Sequence, residues 1–161
     1  MPGFGPVSVW RLDALRHAAT WDSGEGARLF GGRWNPVGTR AVYMTLDAAT
    51  VILENAVHRG LDELDTKPHV LTRAAVADLG LARIVMPEEI PNPHWLVPSR
   101  PSDGQQAFGA ALLASSAFVL LPSVVSRHSW NLIFDPARAA GLYGDATQEA
   151  FALDPRLHPP A

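Results

Sequence analysis

The sequence has 161 residues, of which 47% are apolar and 18% are charged, with a formal net charge of -3. This length suits one ordinary domain with a proper hydrophobic core, and the composition argues against a disordered chain. The slightly acidic balance gives no general attraction to nucleic acid or anionic lipid, and the absence of cysteine excludes disulfides, thiolate metal sites and a cysteine nucleophile.

The N-terminal part predicts a strand followed by a loop. It has no basic start followed by an apolar run, so we expect a cytoplasmic protein without a secretory signal. Residues 7–12 alternate apolar and polar side chains, which is typical of a strand. Residues 16–26 are rich in small and polar residues and predict a loop.

Residues 27–60 combine more chemical features than any other stretch. Two glycines precede Arg33, and a loop flanked by glycine lets the backbone approach a ligand closely, while arginine's planar fork suits phosphate oxygens. Arg28 is near enough in sequence to share a phosphate site. An extended conformation at residues 29–34 would place the two arginines on opposite faces, so Arg33 is the stronger candidate.

A turn, a strand and a helix follow this loop. Residues 35–38 contain Pro and Gly in the order of a turn, and residues 41–44 predict a short buried strand. Residues 45–60 carry apolar side chains at helical spacing and end in glycine, which predicts a helix with a glycine C-terminus. Tyr43 ends the strand, where its ring is placed to stack on a flat heterocycle.

Glu54 lies at the margin of the predicted helix's buried face. Its side chain points roughly 120° away from the centre of an apolar stripe that we expect to face the core. A solvated helix glutamate is the commoner case. Arg33 and Tyr43 favour a site instead, because these three residue types together would suit a dinucleotide with a cationic ring. The stripe consists of Leu46, Ala49, Leu53, Ala56 and Val57.

The second half of the chain predicts more strands and one further helix. Ser102 has the spacing of an N-cap, and the apolar residues after it predict a wholly buried helix to about residue 116. Residues 87–101 hold five of the fourteen prolines and predict a surface loop that flanks the site. Residues 61–68 predict a polar connection, and residues 143–145 predict a turn. Strands are predicted at residues 69–76, 82–86, 118–121, 130–134 and 149–153.

Ser123 follows a strand beside a proline, a position typical of a site residue and also of a turn cap. The surrounding sequence lacks G-x-S-x-G, which argues against a serine hydrolase, and the histidines lack metal-ligand spacing. The uncharged run at residues 107–125 changes from helix to strand, so it predicts core rather than a membrane span. We expect a single α+β domain over residues 1–161, with a central, largely antiparallel mixed sheet and a few helices.

The chain carries the motif G-G-R-W-N-P-V-G-T at residues 31–39, Tyr43 and Glu54 after it, and the segments P-S-V-V at residues 122–125 and N-L-I-F-D-P at residues 131–136. This set resembles the RES domain family, which is named for its Arg, Glu and Ser. The resemblance extends over about residues 7–155. The chain departs from the family pattern at Asp135, where asparagine is expected.

The resemblance implies a fold similar to ADP-ribosylating toxins and a toxin of a type II toxin–antitoxin system that acts on NAD. Glu54 would stabilise the oxocarbenium-like ribose that forms when nicotinamide leaves. Arg33 would bind the diphosphate or the ribose side, and Tyr43 would stack on nicotinamide. Ser123 would orient the ribose or the nicotinamide amide, and the matched Asn131 is a further substrate-binding candidate.

Arg11 in the first predicted strand has two equally open interpretations. In the ADP-ribosyltransferase-like folds that the family resembles, the first strand carries a polar residue that contacts the nucleotide. The alternative is an edge-strand arginine that points to water. Arg28 stays a second candidate for the phosphate site.

The acceptor of the ADP-ribose is open at this point. Phosphate or water would make the protein an NAD phosphorylase or glycohydrolase, which we favour because no second carboxylate is recognised beside Glu54, although Asp47 or His58 could serve. A protein side chain as acceptor would make it a mono-ADP-ribosyltransferase. A nucleotide-binding module without catalysis is a further alternative, whereas the acidic balance and scattered histidines argue against an RNase.

The resemblance also implies a partner. We expect a helix-turn-helix antitoxin that blocks the active site, with the apolar patch at residues 95–97 or the C-terminal tail as candidate contacts. NAD is expected as substrate, without a metal. No direct contact with nucleic acid or membrane is expected.

Overall fold

The computed structural model describes residues 5–96 and 101–161. In this part of the chain, seven strands form one sheet and helices pack against it. The strands are β1 (Val7–Ala14), β2 (Val42–Thr45), β3 (His69–Val76), β4 (Ala82–Ile84), β5 (Phe118–Pro122), β6 (Trp130–Phe134) and β7 (Tyr143–Phe151). The α-helices are α1 (Glu25–Phe30), α2 (Ala48–Arg59), α3 (Leu61–Thr66) and α4 (Asp103–Ser115), with short 3-10 helices at Leu15–Thr20, Leu79–Leu81, Pro87–Glu89 and Pro155–Leu157.

The sheet is mixed and largely antiparallel. Its strand order is β4-β5-β6-β2-β1-β3-β7, and every neighbouring pair is antiparallel except β4 with β5. α4 lies between β4 and β5 in the chain and supplies the crossover that a parallel pair requires. The predicted fold class, α+β with a central mixed sheet, is confirmed.

Alternate side chains of β5 and β6 divide the core between the two faces of the sheet. Phe118 and Phe134 pack on one face together with Met44 of β2. Val119 and Ile133 point to the other face, where α4 covers them. The adjoining part of this second face is covered by α2 and α3 through a cluster of Leu12, Val51, Leu64, Leu71 and Leu153.

β1 is an inner strand, because it lies between β2 and β3. It pairs with β3 along its whole length, from Val7 to Ala14. The interpretation of Arg11 as an edge-strand arginine that points to water is therefore wrong. A strand rich in alternating residues does not reveal from sequence whether both of its edges are paired, since that depends on distant strands.

Three segments form regular structure where the sequence predicts loops or turns. Residues 16–26 include the start of α1, which follows Gly24 in a left-handed conformation (φ 66°). Residues 61–68 contain α3, whose first turn carries two acidic residues that favour a helix N-terminus. Residues 143–145 belong to β7, where Asp145 (φ 49°) lies beside a register shift in the pairing with β3. All three elements are largely exposed, so their polar composition concealed them.

α2 ends at Gly60 (φ 85°), as predicted, and begins after Asp47, whose side chain caps it. The predicted buried stripe is wrong for Ala49, Leu53 and Val57, whereas Leu46 and Ala56 are partly buried against the core. Leu53 and Val57 are 46% and 61% exposed, whereas the neighbouring Val51 is buried. The helix packs against β1 and α3 through the Val51 side, so its polar flank turns toward the sheet.

α4 is capped by Ser102, whose Oγ accepts a hydrogen bond from the Gln105 backbone N–H at 3.1 Å, as predicted. The expectation of a wholly buried helix is wrong, because burial is confined to the side that carries Gln105, Gly109 and Leu113. The small residues on its other side made the whole sequence look apolar. Within the described residues, no helix combines the length and apolar character needed to cross a membrane.

The proline-rich segment is attached to the core rather than lying wholly on the surface. Ile90 and Trp95 are both buried and pack in the cluster beneath α4. The candidate partner patch at residues 95–97 is therefore core at Trp95, because an indole ring of this size contributes more when buried. Val97 lies outside the described residues.

Candidate active site

A cleft of about 1350 Å³ opens where β1 and β2 diverge. The two strands share one aligned pair, Trp10 with Thr45, and beyond it each continues with its other neighbour. Arg11 bridges the resulting gap, because its Nη1 donates to the Tyr43 carbonyl at 3.0 Å and its Nε donates to Asp13 at 2.9 Å. Arg11 and Asp13 both line the cleft, so the centre of the sheet contributes polar groups to it.

Glu54 extends from α2 into this cleft and is held there by two remote side chains. Its Oε1 accepts a hydrogen bond from Ser123 Oγ at 2.7 Å and another from Asn131 Nδ2 at 2.9 Å. Both hydrogen bonds hold the carboxylate in one orientation. Among the contacts between described residues, Oε2 accepts no hydrogen bond, so this oxygen is left for a ligand.

Ser123 lies directly behind Glu54. Its side chain is fully buried, and its Oγ accepts from the backbone N–H groups of Val125 and Ser126 while donating to Glu54. This arrangement differs from the expected direct contact with ribose or nicotinamide. The end of β5 at Pro122 turns the chain so that the hydroxyl faces α2 and holds the carboxylate in place.

Asn131 lies on β6 at the buried floor of the cleft, opposite Thr45 of β2. It is 8% exposed, and its Nδ2 donates to Glu54. Its Oδ1 is buried and has no hydrogen-bond partner among the described residues. Repulsion between two oxygens fixes this orientation of the amide, since the reverse orientation would bring Oδ1 against the carboxylate.

Arg33 lies at the tip of a tight hairpin closed by a bridge between Gly32 and Asn35. Its Nη1 donates to the carbonyl of Trp95 at 3.0 Å. Burial lowers the pKa of the guanidinium, and the negative charge of Glu54 partly offsets that effect. Both side chains line the same cleft. The remaining guanidinium N–H groups suit an anionic ligand.

Asn35 organises the hairpin and was not singled out by the sequence analysis beyond its turn. It is fully buried, and its Nδ2 donates to the carbonyls of Ala27, Pro36 and Thr39, while its Oδ1 accepts from the Tyr43 hydroxyl at 2.6 Å. An asparagine directly before a proline is the sequence pattern that could have identified this residue, because such side chains commonly bond to nearby backbone.

Two glycines allow the hairpin to pack this closely. A Cβ atom on Gly32 would lie 2.7 Å from both Asn35 Oδ1 and the Tyr43 hydroxyl. A Cβ atom on Gly109 of α4 would lie 1.9 Å from the Trp34 carbonyl oxygen. The first glycine is therefore needed for the hydrogen-bonded turn, and the second lets α4 support the hairpin from below.

Tyr43 uses its hydroxyl within the protein. The hydroxyl donates to Asn35 and accepts from the Trp34 backbone N–H at 3.0 Å. Burial raises the pKa of the hydroxyl well above its usual value, so the side chain stays neutral. Because its hydroxyl is already bonded, the ring is the part of Tyr43 that is available to a ligand in the cleft, and its stacking on nicotinamide stays a prediction.

Arg28 does not join the cleft. It lies in α1, so the two arginines are not separated by the extended segment that the sequence suggested, and its guanidinium pairs with Glu25 at 2.9 Å one helical turn away. Arg40, which the sequence analysis did not consider, lines the cleft and pairs with Glu25 at 2.8 Å. The helical turn reorients Arg28 because i and i+3 positions share a helix face.

Asp47 and His58, the two candidates for a second catalytic residue, differ in whether their side chains are already hydrogen-bonded within the protein. Asp47 caps α2, accepting from the backbone N–H and the hydroxyl of Thr50 at 2.8 and 2.7 Å. His58 is exposed and lines the cleft one turn after Glu54. Within residues 5–96 and 101–161, no three histidine, aspartate or glutamate side chains group closely enough to hold a metal ion.

The departure from the family pattern at Asp135 leaves the local structure intact. Its Oδ1 accepts from the Ala137 backbone N–H at 2.9 Å, just after β6 ends. The side-chain oxygen of an asparagine would make the same bond.

The chain is similar to known proteins over most of its length. The family model of the RES domain matches residues 8–154. The chain is 32% identical to the Prs ADP-ribosylating toxin of Sphingobium sp., covering 94% of this chain and 96% of that protein. It is 30% identical to Toxin Res of Photorhabdus laumondii, covering 92% and 96%. A chain of the M. tuberculosis MbcT-MbcA toxin-antitoxin complex has a similar fold, with a TM-score of 0.74 and 23% identity over 96% of this chain and 87% of that one.

Proposed function

The chain belongs to the RES domain family, and we propose that it is the toxin of a toxin–antitoxin pair that cleaves the nicotinamide–ribose bond of cytoplasmic NAD. The observation that carries this proposal is the Glu54 carboxylate, fixed by Ser123 and Asn131 in a cleft that also contains Arg33. A relative named as an ADP-ribosylating toxin supports NAD as the substrate.

Cleavage requires little proton chemistry. The bond between C1′ of ribose and the pyridinium nitrogen breaks, its electron pair goes to that nitrogen, and nicotinamide leaves as a neutral molecule. The sugar is left as an oxocarbenium-like cation. An ionised carboxylate held in a partly desolvated cleft stabilises that cation, and we assign this task to Glu54 through its free Oε2.

The other side chains of the cleft bind the rest of the dinucleotide. We assign the diphosphate to Arg33, whose unused N–H groups face the cleft, and the nicotinamide ring to the ring of Tyr43. Arg11 lines the same cleft and is assigned to the nucleotide as well. Ser123 is assigned to positioning Glu54, because its hydroxyl is buried behind the carboxylate.

The acceptor completes the reaction by attacking C1′. Phosphate attacks through an ionised oxygen and needs to lose no proton, whereas water or a protein side chain releases its proton to solvent or to a nearby base. We propose phosphate or water, because Asp47 is engaged in capping α2, and Asp13, which also lines the cleft, is paired with Arg11. A protein acceptor is the second candidate. It is favoured by the name of the relative from Sphingobium and by His58, which lies in the cleft where it can remove an acceptor's proton.

An antitoxin is the proposed partner. Phe30 is 83% exposed and lines the mouth of the cleft together with Leu29, so a bound protein would cover apolar side chains while it blocks the entrance. A solved relative of similar fold is a toxin in complex with an antitoxin, which supports this partner class. The helix-turn-helix type of that antitoxin is part of the proposal.

The proposal is tested by incubating the purified protein with NAD, with and without phosphate and with a cell extract, and identifying the products by mass. ADP-ribose, or its 1-phosphate, without extract supports NAD degradation. NAD consumption only with extract, with ADP-ribose gained by one protein, supports the transferase. NAD that survives every condition while Glu54→Gln binds it as tightly as the unaltered protein would favour a binding module without catalysis.

A further inference from the structure

Asn131 carries a hydrogen-bonding group that no residue in the described part of the chain uses. The residue lines the cleft and is 8% exposed, its Nδ2 donates to Glu54, and its Oδ1 is buried with no hydrogen-bond partner among residues 5–96 and 101–161. A buried acceptor of this kind costs free energy unless a ligand donates to it. The unused oxygen therefore indicates that the bound ligand presents an N–H or O–H donor at this place.

The sheet register indicates which part of the ligand lies there. Tyr43 pairs with Ile133, and the next residue on the same face of β2, Thr45, pairs with Asn131. Tyr43 and Asn131 are thus diagonal neighbours on one face, a separation of about 7 Å that aromatic side chains span readily. A pyridine ring stacked on Tyr43 would hold its substituents within reach of the Asn131 amide.

The remaining oxygen of Glu54 narrows the choice further. Glu54 Oε1 already accepts hydrogen bonds from Ser123 and Asn131, so Oε2 is the oxygen that can accept one from a ribose hydroxyl. The other donors at the reactive end of NAD are the second ribose hydroxyl and the carboxamide –NH₂ of nicotinamide, and a pyridine ring stacked on Tyr43 would bring the carboxamide to Asn131. We propose that Asn131 Oδ1 accepts a hydrogen bond from this carboxamide, which makes Asn131 a specificity-determining residue for the nicotinamide head group.

This assignment rests on the proposed function and gives one amide two tasks. The Nδ2 of Asn131 holds the carboxylate that stabilises the sugar cation. Its Oδ1 accepts a hydrogen bond from the carboxamide of the leaving nicotinamide. Ser123 holds the same carboxylate oxygen but has no free acceptor, because its Oγ is bonded to Val125, Ser126 and Glu54. The two residues therefore form a matched pair that differs in the second task alone.

The test compares NAD with 3-acetylpyridine adenine dinucleotide, in which a methyl group replaces the amide nitrogen. For the unaltered protein, kcat/KM should favour NAD by about ten-fold beyond the intrinsic difference in reactivity, because the analogue leaves Oδ1 unpaired. Asn131→Ala should remove that preference. Ser123→Ala should slow both substrates and retain the preference, since it disturbs Glu54 without touching Oδ1.

The assignment is tested by the ratio of kcat/KM for NAD to kcat/KM for the analogue, measured within each preparation. This ratio does not depend on the folded fraction of a variant, and the analogue's intrinsic reactivity cancels between variants. If Asn131→Ala is too slow to assay, the same ratio is taken from dissociation constants measured in the Glu54→Gln background. An unchanged ratio in Asn131→Ala would overturn this assignment alone. Absence of NAD consumption by the unaltered protein under every acceptor condition would overturn the proposed function, and the assignment with it.

Discussion

The two sides of the cleft are constructed in different ways. The hairpin half, residues 27–43, is one continuous stretch whose parts are joined by the side chain of Asn35. The carboxylate half consists of Glu54, Ser123 and Asn131, whose partners are 69 and 77 positions away from the glutamate. One half is organised by local hydrogen bonds, and the other by the pairing of distant strands.

This difference has consequences for mutation. In the hairpin half, shape and binding depend on the same buried bonds, so a change there is expected to affect stability and ligand affinity together. In the carboxylate half, the sheet holds the residues in place independently of their chemistry, so a change there is expected to affect the reaction while the fold persists.

The largest effect is expected at Glu54. Glu54→Gln keeps an oxygen that accepts from Ser123 and Asn131 but removes the charge, so we expect kcat for NAD cleavage to fall about a thousand-fold while KM changes little. Steady-state kinetics with circular dichroism of the variant measure both. A fall in kcat of less than about ten-fold would show that the charge is not the principal stabilising group.

Asn35→Ala tests the hairpin half. It removes the group that satisfies three carbonyls and one hydroxyl, so we expect the free energy of unfolding to fall by about 3 kcal/mol. Asn55→Ala is the matched control, because the Asn55 amide donates one hydrogen bond, to the Val51 carbonyl. Its loss should lower the free energy of unfolding by about 1 kcal/mol or less. Urea denaturation measures the free energy of unfolding of both variants. An equal decrease in the two would contradict the proposal that Asn35 organises the hairpin.

Gly109→Ala tests the support that α4 gives the hairpin. The new methyl would meet the Trp34 carbonyl oxygen at 1.9 Å, so the helix and the hairpin must separate, at a cost of about 2 kcal/mol. Gly104→Ala in the same helix is the control, since its methyl meets only Ser102 Oγ at 4.0 Å and alanine favours a helix. In thermal denaturation, Gly109→Ala should have a lower Tm than the unaltered protein. The Tm of Gly104→Ala should be unchanged or higher.

The smallest effect is expected from Tyr43→Phe. It loses the hydroxyl bonds to Asn35 and the Trp34 backbone, costing about 1 kcal/mol of stability, but it keeps the ring, so KM for NAD should stay within about two-fold. Tyr43→Leu removes the ring and should raise KM about ten-fold, because stacking on an aromatic side chain contributes about 1–3 kcal/mol per base. A larger KM change in the phenylalanine variant would assign ligand binding to the hydroxyl instead.

Features set by neighbouring residues could be predicted from the sequence. The strand at His69–Val76, the helix with Gly60 at its end and the Ser102 cap all depend on periodicity or on bonds spanning a few positions. The turn predicted at residues 35–38 belongs to the same class, since asparagine, proline and glycine limit the backbone locally, whereas the hairpin closed by Gly32 and Asn35 was not predicted.

The remaining features depend on tertiary contacts. The inner position of β1, and with it the bridging contact of Arg11, follows from pairing on both edges with strands far along the chain. The orientation of α2 was mispredicted because the helix packs through Val51 against β1 and α3, and this packing overrides the stripe containing Leu53. Periodicity identifies a helix and its apolar residues, but not which face finds a partner.

The site shows the same division. The sequence identified Arg33, Tyr43 and Glu54 as residue types suited to a dinucleotide, together with Ser123 and Asn131 through the family resemblance. Only the tertiary structure decided that the last two donate to one oxygen of the glutamate, leaving its other oxygen and an asparagine carbonyl for a ligand. The physical reason is that hydrogen bonds between side chains require atomic positions, and these are fixed here by the alignment of β2, β5 and β6.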